Sequence, residues 1–234
     1  MRALIFDLDG TLIDTVYVHV LAWQQALAEA GIARPAWHIH RRIGMGVNLF
    51  VRIMGREVGR EMAPPEVAAL RRRWRELYAR LAPAPRPLPG AAELLRFLRS
   101  AGVPHAIATG SQRPEIDASL EVLGVGDETL VVEGKEAFRG KPEPDLFLAC
   151  QRQLGARAEE CCVVGDGVHD LLAARRAGML GIGLLTGGQR EDELTHAGAF
   201  RVYQDPAELQ GALEELGFLP ECWPAASCAV PPTT

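Results

Sequence analysis

The chain has 234 residues, 48% hydrophobic and 24% charged, which suits a soluble globular protein with a sizeable core and room for one modest insertion. A formal net charge of −5 excludes a nucleic-acid footprint built from overall basicity, so an anionic ligand would have to be drawn in by local charge and metal. The apolar runs are too short to span a bilayer, and the first residues do not read as a signal peptide, because Asp7 and Asp9 interrupt the apolar stretch at once. Cys150, Cys161, Cys162, Cys222 and Cys228 make no C-x-x-C pair and read as reduced, structural thiols of a cytoplasmic protein.

Ala3 to Phe6 is a short apolar run ending in a polar, Gly-containing turn, the pattern of a buried strand. Thr15 to Ala30 follows with Val16, Val20, Trp23, Leu27 and Ala30 on one helical stripe and Gly31 placed to end it. From Ile32 to Ala82 the chain shows no strand, is rich in Arg, and has helical patterns over Val47–Val58 and Pro64–Leu81. Pro83, Pro85, Pro87 and Pro89 then mark a boundary. Beyond it the pattern alternates. Helices are expected over Ala91–Ser100, Pro114–Leu123, Pro144–Leu154, Leu171–Ala177 and Ala207–Leu216. Strands are expected over Val103–Ala108, Thr129–Val132, Cys161–Val164 and Leu180–Leu184. This alternation predicts a doubly wound, Rossmann-like α/β core with a parallel sheet, formed by residues 1–15 and 84–219. Residues 16–83 would be an all-helical insertion, and residues 220–234, rich in Pro, Ala, Ser and Thr, a poorly ordered tail.

Ligands of an open parallel sheet gather at the carboxyl ends of its strands. Asp7, Asp9, Gly10 and Thr11 follow the first expected strand, and Thr109, Gly110 and Ser111 the second. Asp166 and Asp170 follow the Cys161 strand, and Lys141 precedes the Pro144 helix. Carboxylates suit a hard divalent cation, while a hydroxyl, backbone N–H groups and an ammonium suit phosphate oxygens. Of 25 basic residues only Lys135 and Lys141 are lysine, so a point charge at Lys141 departs from the chain's preference for Arg. Each position also has a plainer reading. Asp7 and Asp9 suit a turn, Ser111 a helix cap, and Asp166 and Asp170 a helix start.

The run Phe6-Asp7-Leu8-Asp9-Gly10-Thr11 resembles the first motif of the haloacid dehalogenase superfamily, DxDGT. Thr109 after an apolar strand resembles the second motif and Lys141-Pro142 the third. Gly165-Asp166-Gly167-Val168-His169-Asp170 resembles the fourth, with Gly167 where Ser is usual. The place of the helical insertion resembles the branch of phosphoglycolate phosphatase and β-phosphoglucomutase, whose insertion is a cap.

That resemblance implies a phosphomonoester hydrolase acting through an aspartyl-phosphate on Asp7, with Asp9 as acid and then base. Asp7 would be ionised and Asp9 protonated at the start, which a dry or hydrogen-bonded setting around Asp9 would favour. It implies Mg²⁺ held by Asp7, the backbone carbonyl of Asp9, and Asp166, with Asp170 in the outer shell. Thr109 and Lys141, with the backbone of Leu8, Asp9 and Gly110, would hold the phosphoryl oxygens. His19, Arg42, Met45, Asn48 and Ser111 are substrate-side candidates, and His169 falls at a position the motif leaves variable. The implied partner is a small phosphorylated metabolite, without nucleic acid or membrane, acting on a monomer or homodimer. A phosphomutase shares these core residues, although the Arg that subgroup keeps shortly after its cap-loop Gly is replaced here by Met45, Gly46 and Val47 after Gly44. Dehalogenases generally lack the second Asp, so Asp9 favours phosphate chemistry. A non-catalytic phosphate-binding module would not need an acid at Asp9.

Overall fold

The computed structural model describes residues 2–135 and 138–219. The expected tail, with Cys222 and Cys228, lies outside these residues.

Six parallel strands form one sheet: β1 (Ala3–Asp7), β2 (His105–Thr109), β3 (Leu130–Glu133), β4 (Cys161–Gly165), β5 (Leu180–Leu184) and β6 (Ala199–Tyr203). Their spatial order is β3-β2-β1-β4-β5-β6, which puts β1 at the centre and the direction of winding reverses there. The α/β, Rossmann-like fold is therefore the one the alternation predicts. Residues alternate between the faces with a period of two. Leu4, Phe6, Ile107, Cys162, Val164, Ile182 and Leu184 pack on one side with α5 (Ala91–Ser100), α6 (Asp117–Val122) and α10 (Pro206–Ala212). Ala3, Ile5, Ala106, Ala108, Cys161 and Val163 pack on the other with α7 (Asp145–Leu154) and α8 (Val168–Arg176). Because both faces are covered, β1 and β4 are buried at every residue, which is why each reads as a continuous apolar run.

The insertion comprises α1 (Val16–Glu29), α2 (Ala36–His40), α3 (Val47–Arg56) and α4 (Pro64–Leu81). These helices enclose an apolar cluster of their own, containing Val20, Trp23, Leu27, Phe50, Met54, Leu70, Trp74 and Leu77. Trp23 and Trp74 stack at 5.0 Å between ring centroids and Phe50 tilts against Trp23 at 4.7 Å, so aromatic contacts join α1, α3 and α4. Pro64 and Pro65 open α4, where no intrahelical donor is lost, and Glu66 accepts from the Ala63 N–H at 3.0 Å.

Five local readings change. α8 begins at Val168 rather than Leu171, because the Asp170 carboxylate accepts from the Gly167 N–H at 3.1 Å and starts the helix inside the fourth motif. Pro114–Ile116 forms a turn rather than helix, and the Arg113 N–H donates to Glu133 at 2.9 Å. Three elements have no counterpart among the expected ones, the first two being α9 (Glu191–Ala197), a short and mostly polar helix, and β6. β6 is an edge strand carrying exposed Phe200 with the Arg201 guanidinium 4.4 Å from its ring centroid, so its alternation is blurred. α2 is the third, a single apolar residue, Ile39, being buried in its five.

Candidate active site

The register of the sheet decides what meets. Phe6 pairs with Val164 and Asp7 with Ala108, so Asp7, Thr109 and Asp166 leave three adjacent strands at nearly one level. Gly10 makes the turn after β1 with φ at +84°, a conformation that L side chains resist. A Cβ there would also stand 2.5 Å from Asp166 Oδ2, so the glycine lets the β1 and β4 loops close on one another.

Inside this crevice Asp7, Asp166 and Asp170 are all buried, and each offers an oxygen within 4.8 Å of the others. Lys141 Nζ stands 2.6 Å from Asp7 Oδ1 and 2.6 Å from Asp170 Oδ1. The Thr11 hydroxyl donates to Asp166 Oδ1 at 2.8 Å. Three carboxylates face one ammonium, so with all of them ionised two negative charges would stand uncompensated in a buried site, a costly arrangement without a further cation. Burial pushes the Asp7 carboxyl up to about 7, with Lys141 opposing the shift and Asp170 adding to it. Burial likewise raises Asp166 well above the carboxylate range, helped by repulsion from Asp170 and Asp7. Burial opposes the Lys141 charge, but Asp170 and Asp7 outweigh it and hold the ammonium above its ordinary range. A hard divalent cation with oxygen ligands fits this donor set and its charge. Asp7, Asp166 and Asp170 would hold it.

Asp9 belongs to a separate pair of contacts. Its Oδ1 accepts from the Thr15 hydroxyl at 2.7 Å and lies 3.3 Å from His19 Nε2. Thr15 precedes α1 but spends its hydroxyl on Asp9 rather than on capping the helix. Burial works to raise the Asp9 carboxyl, yet His19 and the Thr15 hydrogen bond outweigh it and hold the group below its ordinary value. This corrects the expectation that the surroundings of Asp9 would raise it. The motif spacing shows Asp9 but not the His19 and Thr15 that set its charge.

The remaining candidates are distributed as follows. Thr109 is buried, and its hydroxyl accepts from the Ser111 N–H at 3.1 Å, with Gly110 exposed between them. Leu8 is buried and its carbonyl accepts from the Leu12 and Ile13 N–H groups, at 2.9 Å and 3.1 Å, which tightens the loop carrying Asp9. Arg42 is drawn to Glu57 at 2.7 Å and to the His38 carbonyl at 3.1 Å. Met45 packs against the apolar cluster of the insertion, and Asn48 is exposed on the first turn of α3. His19 stacks on Tyr78 at 4.3 Å and approaches Trp74 at 5.5 Å, joining Asp9 to the aromatic interior of the helices. Thr11, Thr15 and Tyr78 thus join the site through contacts to which the strand-end pattern assigns no role. Thr11 lay in plain view inside the first motif, while Thr15 and Tyr78 carry no local signal.

A parallel sheet whose central strand end presents a buried aspartate, beside two more carboxylates, a lysine and a threonine, defines an α/β protein with an acidic site at the carboxyl edge of its sheet. A family model of haloacid dehalogenase-like hydrolases matches residues 1–178. A probable phosphatase of Dickeya dadantii is 33% identical over 215 residues, covering 91% of this chain and 93% of that protein. A phosphoglycolate phosphatase of Pectobacterium atrosepticum is 33% identical over 190 residues, covering 80% and 81%. Among solved structures, a hydrolase from Pseudomonas syringae superposes with a TM-score of 0.88 at 40% identity, covering 92% of this chain and 99% of that one. The chain belongs to the haloacid dehalogenase-like hydrolase family and is an enzyme of that family. Among the described residues no helix is long and apolar enough to cross a membrane.

Proposed function

We propose that this protein is a Mg²⁺-dependent phosphatase of small phosphomonoesters, acting through an aspartyl-phosphate on Asp7. The observation behind this reading is the single cluster of Asp7, Asp166, Asp170 and Lys141, buried at the carboxyl end of the sheet. Bound Mg²⁺ would supply charge that offsets repulsion between the Asp7 carboxylate and an anionic ester, and would hold Asp7 ionised. Asp7 attacks phosphorus as the bond to the ester oxygen breaks, and Lys141 and Thr109 follow the shifting charge on the phosphoryl oxygens, with the backbone N–H groups of Leu8, Asp9 and Gly110 beside them. The departing oxygen takes a proton from the Asp9–His19 pair, which then receives one from the water that hydrolyses the aspartyl-phosphate. The low setting of Asp9 keeps it ionised, so its carboxylate is free to accept a proton in the second step. For the first step the proton must rest on the pair, and His19 is the nearest basic group.

Residues 16–83 act in this reading as a cap over the strand ends, and the ester's alcohol portion lies between them and the core. Tyr78 and His19 are placed beside Asp9 to meet it. The names of the relatives extend from phosphoglycolate phosphatase to a hexitol phosphatase of Escherichia coli, 31% identical over 179 residues, and we infer a substrate of that range. The buried free thiols Cys150, Cys161 and Cys162 support a cytoplasmic setting. A panel of phosphomonoesters assayed for phosphate release, with Mg²⁺ and with chelator, tests the function. Mg²⁺-dependent release supports it. Isomerisation of a sugar phosphate without release would replace it with phosphomutase activity.

A further inference from the structure

The cap meets the core at one turn to which none of the roles above gives a purpose. Leu185–Gly187 forms a single helical turn after β5, and Gly188 follows with φ at +79°. Thr186 Oγ1 donates to the Gly10 carbonyl at 2.5 Å, which ties the turn to the loop of the first motif. Gly187 lies against Asp166 so closely that a Cβ would stand 1.9 Å from its Oδ2. The Asp166 carboxylate is therefore fixed on one oxygen by the Thr11 hydroxyl and walled on the other by the Gly187 backbone.

The cap holds this same turn from its other side. His40 Nε2 donates to the Gly187 carbonyl at 2.8 Å. The His40 ring stacks on Tyr17 at 5.3 Å with the planes 3° apart. Gly188 fits against both, since a Cβ there would come within 2.9 Å of the Tyr17 hydroxyl oxygen and 3.2 Å of His40 Nε2. Arg41, the next residue, pairs with Glu193 just beyond the turn.

We propose that His40 is a positioning residue for Asp166: by holding the Gly187 peptide it sets the wall against which this carboxylate is aligned for a cation. The inference rests on the reading of Asp166 as a metal ligand. A ligating oxygen tolerates displacements of only about 0.2 Å, so a turn in van der Waals contact with Asp166 Oδ2 governs its reach even without touching the cation. A cap seated on the core and a metal site in order are then one state, because the same peptide serves both. A merely structural His40 would affect melting of the metal-free protein and leave cation affinity alone.

The test is a calorimetric titration of the full chain with Mg²⁺ alone, for wild type, His40→Leu and His40→Gln, with melting of each metal-free protein alongside. Gln can place its amide nitrogen near the position of Nε2 and keep the donor. Removal of a group that orients a ligand costs on the order of tenfold in metal affinity, and that loss is expected for His40→Leu. His40→Gln should bind Mg²⁺ close to wild type, and the metal-free proteins should melt together. Wild-type Mg²⁺ affinity in His40→Leu, or an equal loss in both variants, would overturn the proposal. Absence of Mg²⁺ binding by wild type would overturn the metal reading itself and the role of His40 with it.

Discussion

The carboxyl edge of the sheet and the helical cap contribute to the site in different ways. The edge supplies charge: Asp7 ends β1, Asp166 follows β4, Lys141 lies on a loop and Asp170 in the first turn of α8, and all four are buried. The cap supplies rings and peptide groups. His19 and Tyr78 stack beside Asp9, His40 holds a carbonyl, and the Gly46 N–H donates to the Lys141 carbonyl at 2.7 Å. Gly46 and Gly140 are so close that a Cβ on either would come within 2.6 Å of the other's Cα. The edge thus supplies the buried charges, and the helical insertion meets it through both side chains and backbone.

The largest effects should come from the edge. Asp7→Asn is expected to lower turnover by at least about 10³-fold while the protein still folds, read as phosphate release beside thermal melting. Asp9→Asn should cost about 10²–10⁴-fold with esters of poor leaving groups and much less with an activated ester. Equal losses for both would separate Asp9 from proton transfer.

A mutation confined to the cap interior should behave otherwise. Leu77 is fully buried among the cap helices, and Leu77→Ala should destabilise by about 2–5 kcal/mol in denaturant unfolding. Its Mg²⁺ affinity should change far less than that of Thr11→Val, which removes the hydroxyl on Asp166 and should weaken Mg²⁺ about tenfold by calorimetry. A reversal of that order would erase the distinction between the two regions.

The smallest effect is a pH dependence. Asp7 is raised from 3.8 to about 7 by burial. Its contribution favours the fold below pH 3.8 and is lost as the pH rises to about 7. Metal-free protein should therefore gain stability through Asp7 between pH 8 and pH 5, by a few degrees in Tm. Asp7→Asn or saturating Mg²⁺ should flatten that slope. An unchanged slope in Asp7→Asn would place its origin elsewhere.

Much of this was legible in the sequence, for physical reasons that differ by residue. β1 and β4 are buried on both faces, so each is an apolar run that stops at, or one residue before, a buried aspartate. Spacing therefore located Asp7 and Asp166 together. β6 was illegible because an edge strand half open to solvent can place Arg201 in its middle. His40 and Gly187 are 147 residues apart in sequence and meet only because the cap folds over the sheet. The same holds for the charge of Asp9. Its neighbour Thr15 falls at the start of the stretch expected to be helix, and only the fold turns its hydroxyl onto Asp9.

The central claim is a covalent phosphoryl group on Asp7. The most direct measurement is peptide mass spectrometry of Asp9→Asn, quenched in acid during turnover of an activated phosphate ester with Mg²⁺, since loss of the base should slow hydrolysis of the intermediate. The account predicts one added phosphoryl group on the peptide containing Asp7. Turnover with no such adduct, or an adduct on another residue, would contradict it.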